Sequence, residues 1–130
     1  MSPRTNISSG TPFEPKFGYS RAVKVNDRVF VSGSTAVQPD GTVVGPGDPY
    51  VQSKEAIKTI EAALKQAGAG LQDVVRTRIY ITSLDYVEGV RKAHSEAFGS
   101  IRPASTLVQI SGLVSPEMLV EIEVDAVITD

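Results

Sequence analysis

The sequence predicts an α+β fold, a mixed β-sheet with two α-helices on one face, in the order β-β-α-β-α-β-β. Three observations carry this. Two segments repeat apolar residues at helical spacing, one through Ala56, Ile57, Ile60, Ala63, Leu64 and Ala67, the other through Val87, Val90, His94, Ala97 and Phe98. Strand-length runs rich in β-branched residues stand before, between and after them. The last run, Leu119 to Ile128, places Val120, Ile122, Val124, Ala126 and Ile128 on an unbroken apolar face suited to lie under the helices.

Residues 1 to about 16 carry Pro3, Pro12 and Pro15 among Ser, Thr, Asn and Gly, which predicts an irregular arm. Val23 to Val25 and Val29 to Val31 flank Asn26-Asp27, a two-residue connection that closes a hairpin. Gln38 to Pro49 is dense in Gly, Pro and Asp and reads as a loop with a short extended piece at Thr42 to Val44. A helix follows from Asp48 to about Ala67, with Asp48 as cap, Pro49 at the first position and Gly68 as a left-handed stop. Val74 to Thr82 alternates as a strand, with Val75, Thr77, Ile79 and Ile81 on one face and Arg76, Arg78 and Tyr80 on the other. Asp85 with Glu88 three residues on makes a capping-box start for the second helix, which Gly99 ends. Two strands close the chain, Ala104 to Ile110 and Leu119 to Ile128.

With 130 residues, 41% hydrophobic and 22% charged, the chain has the composition of one globular domain, spanning 1–130, rather than of a disordered segment. A net charge of −2 with interleaved signs gives no footprint for nucleic acid or an anionic membrane surface. The longest apolar runs are strand-sized, and the polar stretch Met1 to Gly10 lacks the apolar core of a secretory signal. The absence of cysteine excludes disulfides, thiolate nucleophiles and cysteine metal sites, and one histidine is a poor basis for zinc. The expectation is a cytoplasmic protein with no metal and no nucleic-acid or membrane partner.

From Gly18 to Val127 a series of short pieces recurs in a set order: Gly18-Tyr-Ser-Arg-Ala-Val, Val29-Phe-Val-Ser-Gly33, Ala67-Gly68, Leu71-Gln-Asp-Val-Val75, Arg102-Pro-Ala and Val120-Glu-Ile-Glu-Val-Asp-Ala. In that order and spacing the chain resembles the RidA/YjgF family of imine and enamine deaminases, also labelled L-PSP endoribonucleases. The resemblance implies a chorismate-mutase-like sandwich that assembles as a homotrimer with small-molecule clefts between subunits. It implies hydrolysis of a reactive imine or enamine to a carbonyl compound and ammonia, with no cofactor. Carried over, Tyr19 lies near the cleft, Ser32 and Gly33 end the second strand beside it, and Glu121 is the catalytic group that orients water. Arg91 falls where many members have asparagine, and Gln109 stands where glutamate is usual. Ser105 replaces the arginine that grips a substrate carboxylate. Charge-assisted hydrogen bonds contribute about 1.5–3 kcal/mol each, so loss of a two-bond clamp weakens 2-imino acids by powers of ten. The expected substrate is therefore an imine other than a typical 2-imino acid. The alternatives are a non-catalytic trimer that binds a small metabolite and, third, RNA cleavage, which the net charge of −2 disfavours.

Each candidate also has a plainer explanation. Glu121, Glu123 and Asp125 form an ordinary acidic face of an amphipathic strand. Tyr19 fits an interface as well as a cleft. His94 on the apolar stripe reads as a buried or interface histidine rather than a general base. Arg21, Arg78 and Arg91 are candidates to replace the missing clamp, and each is also an ordinary surface charge. Ser105 could be a nucleophile only with a base beside it, and the sequence order offers none.

Overall fold

The computed structural model describes residues 3–129. Its strands are β1 (Arg4–Ile7), β2 (Ala22–Val25), β3 (Arg28–Ser34), β4 (Val74–Ile81), β5 (Ala104–Gln109) and β6 (Val120–Val127). Its helices are α1 (Phe13–Phe17), α2 (Pro49–Gln66) and α3 (Val87–Phe98). One six-stranded sheet runs in the order β1-β2-β3-β6-β4-β5, with the β4–β5 pair parallel and every other pair antiparallel. The predicted α+β architecture is what the chain adopts.

The last strand in sequence lies in the middle of the sheet. On β6, Val120, Ile122, Val124 and Ala126 are buried while Glu121, Glu123 and Asp125 alternate with them on the open face. The buried row meets Ile60, Leu64 and Ala56 of α2 and Val90 and Phe98 of α3 in a single core. Helix α2 begins as the sequence predicts: the Val51 N–H donates to Asp48 Oδ1 at 3.1 Å, and Pro49 occupies the first turn. Gly68 takes φ +80° beyond its end, the left-handed stop that glycine adopts readily. Asn26 takes φ 54° in the hairpin turn between β2 and β3.

Three expectations need correction. The arm is ordered where it was expected to be irregular: β1 pairs antiparallel with β2 from Arg4↔Val25 to Ile7↔Ala22, and α1 ends at left-handed Gly18. A four-residue edge strand with one buried side chain, Ile7, is too short for alternation to announce itself. Val75 does not face the core. The pairing of β4 with β6 slips between Val74 and Arg76, so Val74 is buried and Val75 is 47% exposed. The second helix starts at Val87, after a 3₁₀ turn over Leu84–Tyr86 in which Ser83 Oγ, not Asp85, accepts a backbone hydrogen bond.

Candidate functional site

A bulge in β3 makes the floor of the site. Val31 pairs with Val124 and Ser34 with Ile122, so β3 spends three steps where β6 spends two. The extra residue falls at Ser32-Gly33, which leaves the regular ladder there. Ser32 Oγ donates to the Ser20 carbonyl at 2.7 Å, and its N–H donates to the Arg21 carbonyl at 3.0 Å. Glu121 of β6 lays its carboxylate into the space above Gly33. A Cβ on residue 33 would collide with Glu121 Oε2 and lie 2.7 Å from Cδ. A side chain at residue 33 would displace the carboxylate rather than strain the backbone.

Arg21 completes this cluster. Its Nη2 donates to the Gly33 carbonyl at 2.5 Å, and its guanidinium lies 5.8 Å from the Tyr19 ring centroid. Burial pushes the Glu121 carboxyl above the ordinary glutamate range; Arg21 pulls it back, and the like charge of Glu123 adds to the rise. A carboxyl raised in this way holds and releases a proton closer to neutrality than a solvated one does. Tyr19 is set by the segment before it. The N–H groups of Gly18 and Tyr19 both donate to the Glu14 carbonyl at 2.9 Å. The Glu14 side chain, 3% exposed, accepts from Ser9 N at 3.1 Å, Ser9 Oγ at 2.5 Å and Thr11 Oγ1 at 3.2 Å. Burial raises the Glu14 carboxyl, but these donors and Ser8 outweigh it and hold it below the usual range. Tyr19, Ser20, Ser32 and Glu14 line an open hollow of about 460 Å³ together with Arg4 and Asn6 of β1.

The other predicted residues lie elsewhere. Ser105 is on β5, separated from β3 by β6 and β4, about 14 Å at ordinary strand spacing. Its side chain shares the helix-facing side with Thr77, whereas Glu121 pairs with Tyr80 on the open side. Gln109 Oε1 accepts from the Leu84 N–H at 3.0 Å and holds the 3₁₀ turn before α3. Arg91 is exposed and pairs with Glu88 on its own helix at 2.8 Å. One chain thus unites Tyr19, Ser32, Gly33 and Glu121, and leaves Ser105, Gln109 and Arg91 apart from them. Of the arginines considered as a substitute clamp, only Arg21 touches this cluster. Arg78 is engaged with Glu123 at 3.4 Å and Asp125 at 3.3 Å on the open sheet face, where Tyr80 also donates to Glu123 at 2.6 Å.

Sequence reasoning did not reach the Glu14 support or the side chains around Ser105. Ser105 Oγ and Thr77 Oγ1 are 2.7 Å apart, and Thr77 Oγ1 is 2.9 Å from His94 Nε2. These three residues are far apart in sequence, and only the parallel register of β4 and β5 brings the hydroxyls together. Among the described residues, no group of His, Asp and Glu is placed to hold a metal ion. No helix of the described chain is long and apolar enough to cross a membrane.

The fold agrees with the comparisons to known proteins. The family model described as Endoribonuclease L-PSP matches residues 10–128. A solved structure from Mycobacterium tuberculosis, a member of the YjgF/YER057c/UK114 family, superposes with a TM-score of 0.87 at 45% identity, over 96% of this chain and 99% of that one. The chain belongs to the RidA/YjgF family. Two sequence relatives fit this RidA/YjgF membership. An uncharacterised protein of Streptomyces coelicolor is 42% identical over 120 residues, 92% of this chain and 89% of its own. The 3-aminoacrylate deaminase RutC of Acinetobacter baylyi is 34% identical over 116 residues, 89% of this chain and 90% of its own.

Proposed function

We propose that the protein hydrolyses reactive imines or enamines that lack a free carboxylate, with Glu121 orienting and deprotonating water above Gly33. The Glu121–Gly33 contact is the observation that carries this reading. A carboxylate seated over Gly33, raised by burial and flanked by Arg21, is poised as a base one residue from Ser32, which lines the open hollow. The RutC relative supports the reaction class. Ser105, in the position of the arginine clamp, supports the change of substrate: its hydroxyl is neutral and already meets Thr77.

Ser105, Arg91 and Gln109 join the site only through assembly. In this reading three chains pack through the open sheet face that carries Arg78, Glu123 and Asp125, so that each cleft takes the Glu121 cluster from one subunit and the Ser105 edge from another. Light scattering should then give three times the 13.8 kDa chain mass. A monomer at working concentration would remove this part of the proposal.

The deciding experiment measures ammonia release from enzymatically generated imines with and without a carboxylate. Turnover confined to the uncharged imines, and abolished in a folded Glu121→Ala variant, is the expected result. Equal turnover in Glu121→Ala would end the catalytic reading. The second reading, a non-catalytic metabolite-binding trimer, rests on the neutral Ser105 and Gln109 at positions usually charged. It is weakened by Gln109, whose amide oxygen is committed to Leu84 N. No turnover on any imine, with a melting-point rise on a metabolite panel, would favour it.

A further inference from the structure

A second set of reactive side chains lies outside the Glu121 cluster. Ser105 on β5 stands in register with Thr77 on β4, and Thr77 reaches His94 on α3. Ser105 is exposed and Thr77 is fully buried, so the hydrogen-bonded chain runs from the surface through a dry hydroxyl to an imidazole. Each hydroxyl has one hydrogen, accepts two bonds and rotates freely. Thr77 Oγ1 donates to Ser105 Oγ, so the chain moves a proton inward once both hydroxyls rotate and His94 Nε2 accepts. Phe98 packs against the imidazole with ring centroids 4.9 Å apart, which restrains its orientation. Burial holds the histidine below its ordinary pKa, so it is a neutral base at neutral pH.

We propose that Ser105 is a reactive hydroxyl, activated by His94 through Thr77, and that the β5 edge it brings to the cleft of the proposed assembly takes small uncharged electrophilic carbonyl compounds. The ligand class follows from the surroundings. Thr77 and the neutral imidazole are the groups joined to Ser105, and Arg76 and Arg78 project from the opposite face of β4. β5 is also an edge strand, so alternate N–H groups point away from β4 and are open to an oxyanion. In the attack, Ser105 Oγ bonds to the carbonyl carbon and the carbonyl π pair moves to oxygen. The serine proton passes to Thr77 Oγ1 as the Thr77 proton passes to His94 Nε2. With an acyl ligand the C=O re-forms, the leaving group departs with the proton returned along the chain, and the acyl group stays on Ser105. Ser105 is the catalytic residue; Thr77 and His94 are positioning residues that act through it.

Phenylmethylsulfonyl fluoride, small and uncharged, is the probe: an O–S bond forms at Ser105, the S–F bond breaks, and fluoride leaves with the electron pair. Peptide mapping of the labelled full-length protein should place one sulfonyl group on Ser105, and Ser105→Ala should carry none. Labelling should slow by about 100-fold or more in Thr77→Val and in His94→Gln, the range of a lost general base, and recover in Thr77→Ser. A purely structural Thr77 would not separate Val from Ser in this way. His94 is the chain's one histidine, so its ring ¹⁵N signals report the Nε2 hydrogen bond directly, and they should move in Thr77→Val. An unlabelled wild type, or labelling at the wild-type rate in Thr77→Val, overturns the proposal. If Thr77→Val does not fold, unslowed labelling of His94→Gln overturns it equally. None of these readouts uses imine turnover, so the proposal stands or fails separately from the reading of Glu121.

Discussion

At the scale of single residues, Gly33 and Glu121 share one volume. Gly33→Ala adds a methyl where the carboxylate lies, and the flexible Glu121 side chain is what must move. The expected outcome is a fall in turnover on the order of a hundredfold, the effect of displacing a reacting group by about an ångström, with the melting temperature nearly unchanged. Activity assay and thermal melt together check it. Glu121 itself opposes folding at neutral pH. Its folded pKa is raised, so its favourable contribution is present below the unfolded value of 4.5 and is lost as pH rises through the folded value. Glu121→Gln should therefore abolish turnover and raise the melting temperature at pH 7, with the gain vanishing in acid. A lower melting temperature at pH 7 would contradict the burial argument.

At the scale of elements, the N-terminal segment belongs to the site. β1 and α1 wall the hollow beside Tyr19, and the Glu14 carboxylate ties residues 9–11 to α1 through three donors. Its folded pKa is depressed, so its stabilisation is present above 4.5 and is lost as pH falls through the folded value. Glu14→Gln should cost about 1–3 kcal/mol at pH 7, the scale of hydrogen bonds to a charged group, and flatten the acid limb of the stability curve. Denaturant titrations at pH 3 and pH 7 test this. The sequence hid these elements for a physical reason. α2, α3 and β6 each bury a whole face, which makes their periods legible, whereas β1 buries only Ile7. Val75 was misplaced because a bulge between Val74 and Arg76 breaks the two-residue period without a Gly or Pro to mark it. The site divides along the same line. Tyr19, Ser32, Gly33 and Glu121 are close to one another because the neighbouring strands β2, β3 and β6 carry or flank them. The Ser105–Thr77–His94 chain depends on register and helix rotation, which no local spacing reveals.

At the scale of the whole molecule, one core supports both the Glu121 cluster and the Ser105–Thr77–His94 chain. Leu64 and Ile60 of α2 are fully buried between the sheet and α3, in the same cluster as Ile122 beneath Glu121 and Phe98 beside His94. Leu64→Ala should destabilise the fold by about 2–5 kcal/mol through lost transfer energy and a residual cavity. Loss of structure at both clusters should occur in one transition, because among the described residues a single core underlies both. Tyrosine fluorescence and far-UV circular dichroism with coincident midpoints would bear this out; a split transition would not. The open sheet face, with Arg78 between Glu123 and Asp125, adds little to this stability, since half-exposed ion pairs contribute about 0–1 kcal/mol.

The extra residue at Ser32-Gly33 separates the scaffold from the seat of the Glu121 carboxylate by a single codon. With that residue deleted, the ladder between β3 and β6 can run on without a slip, since Ser34 moves up one step and remains opposite Ile122. Such a chain would keep its core and its sheet while losing the glycine shelf on which the carboxylate rests. A chain shortened by one residue at that point is expected to fold without the seat that the Glu121 carboxylate occupies.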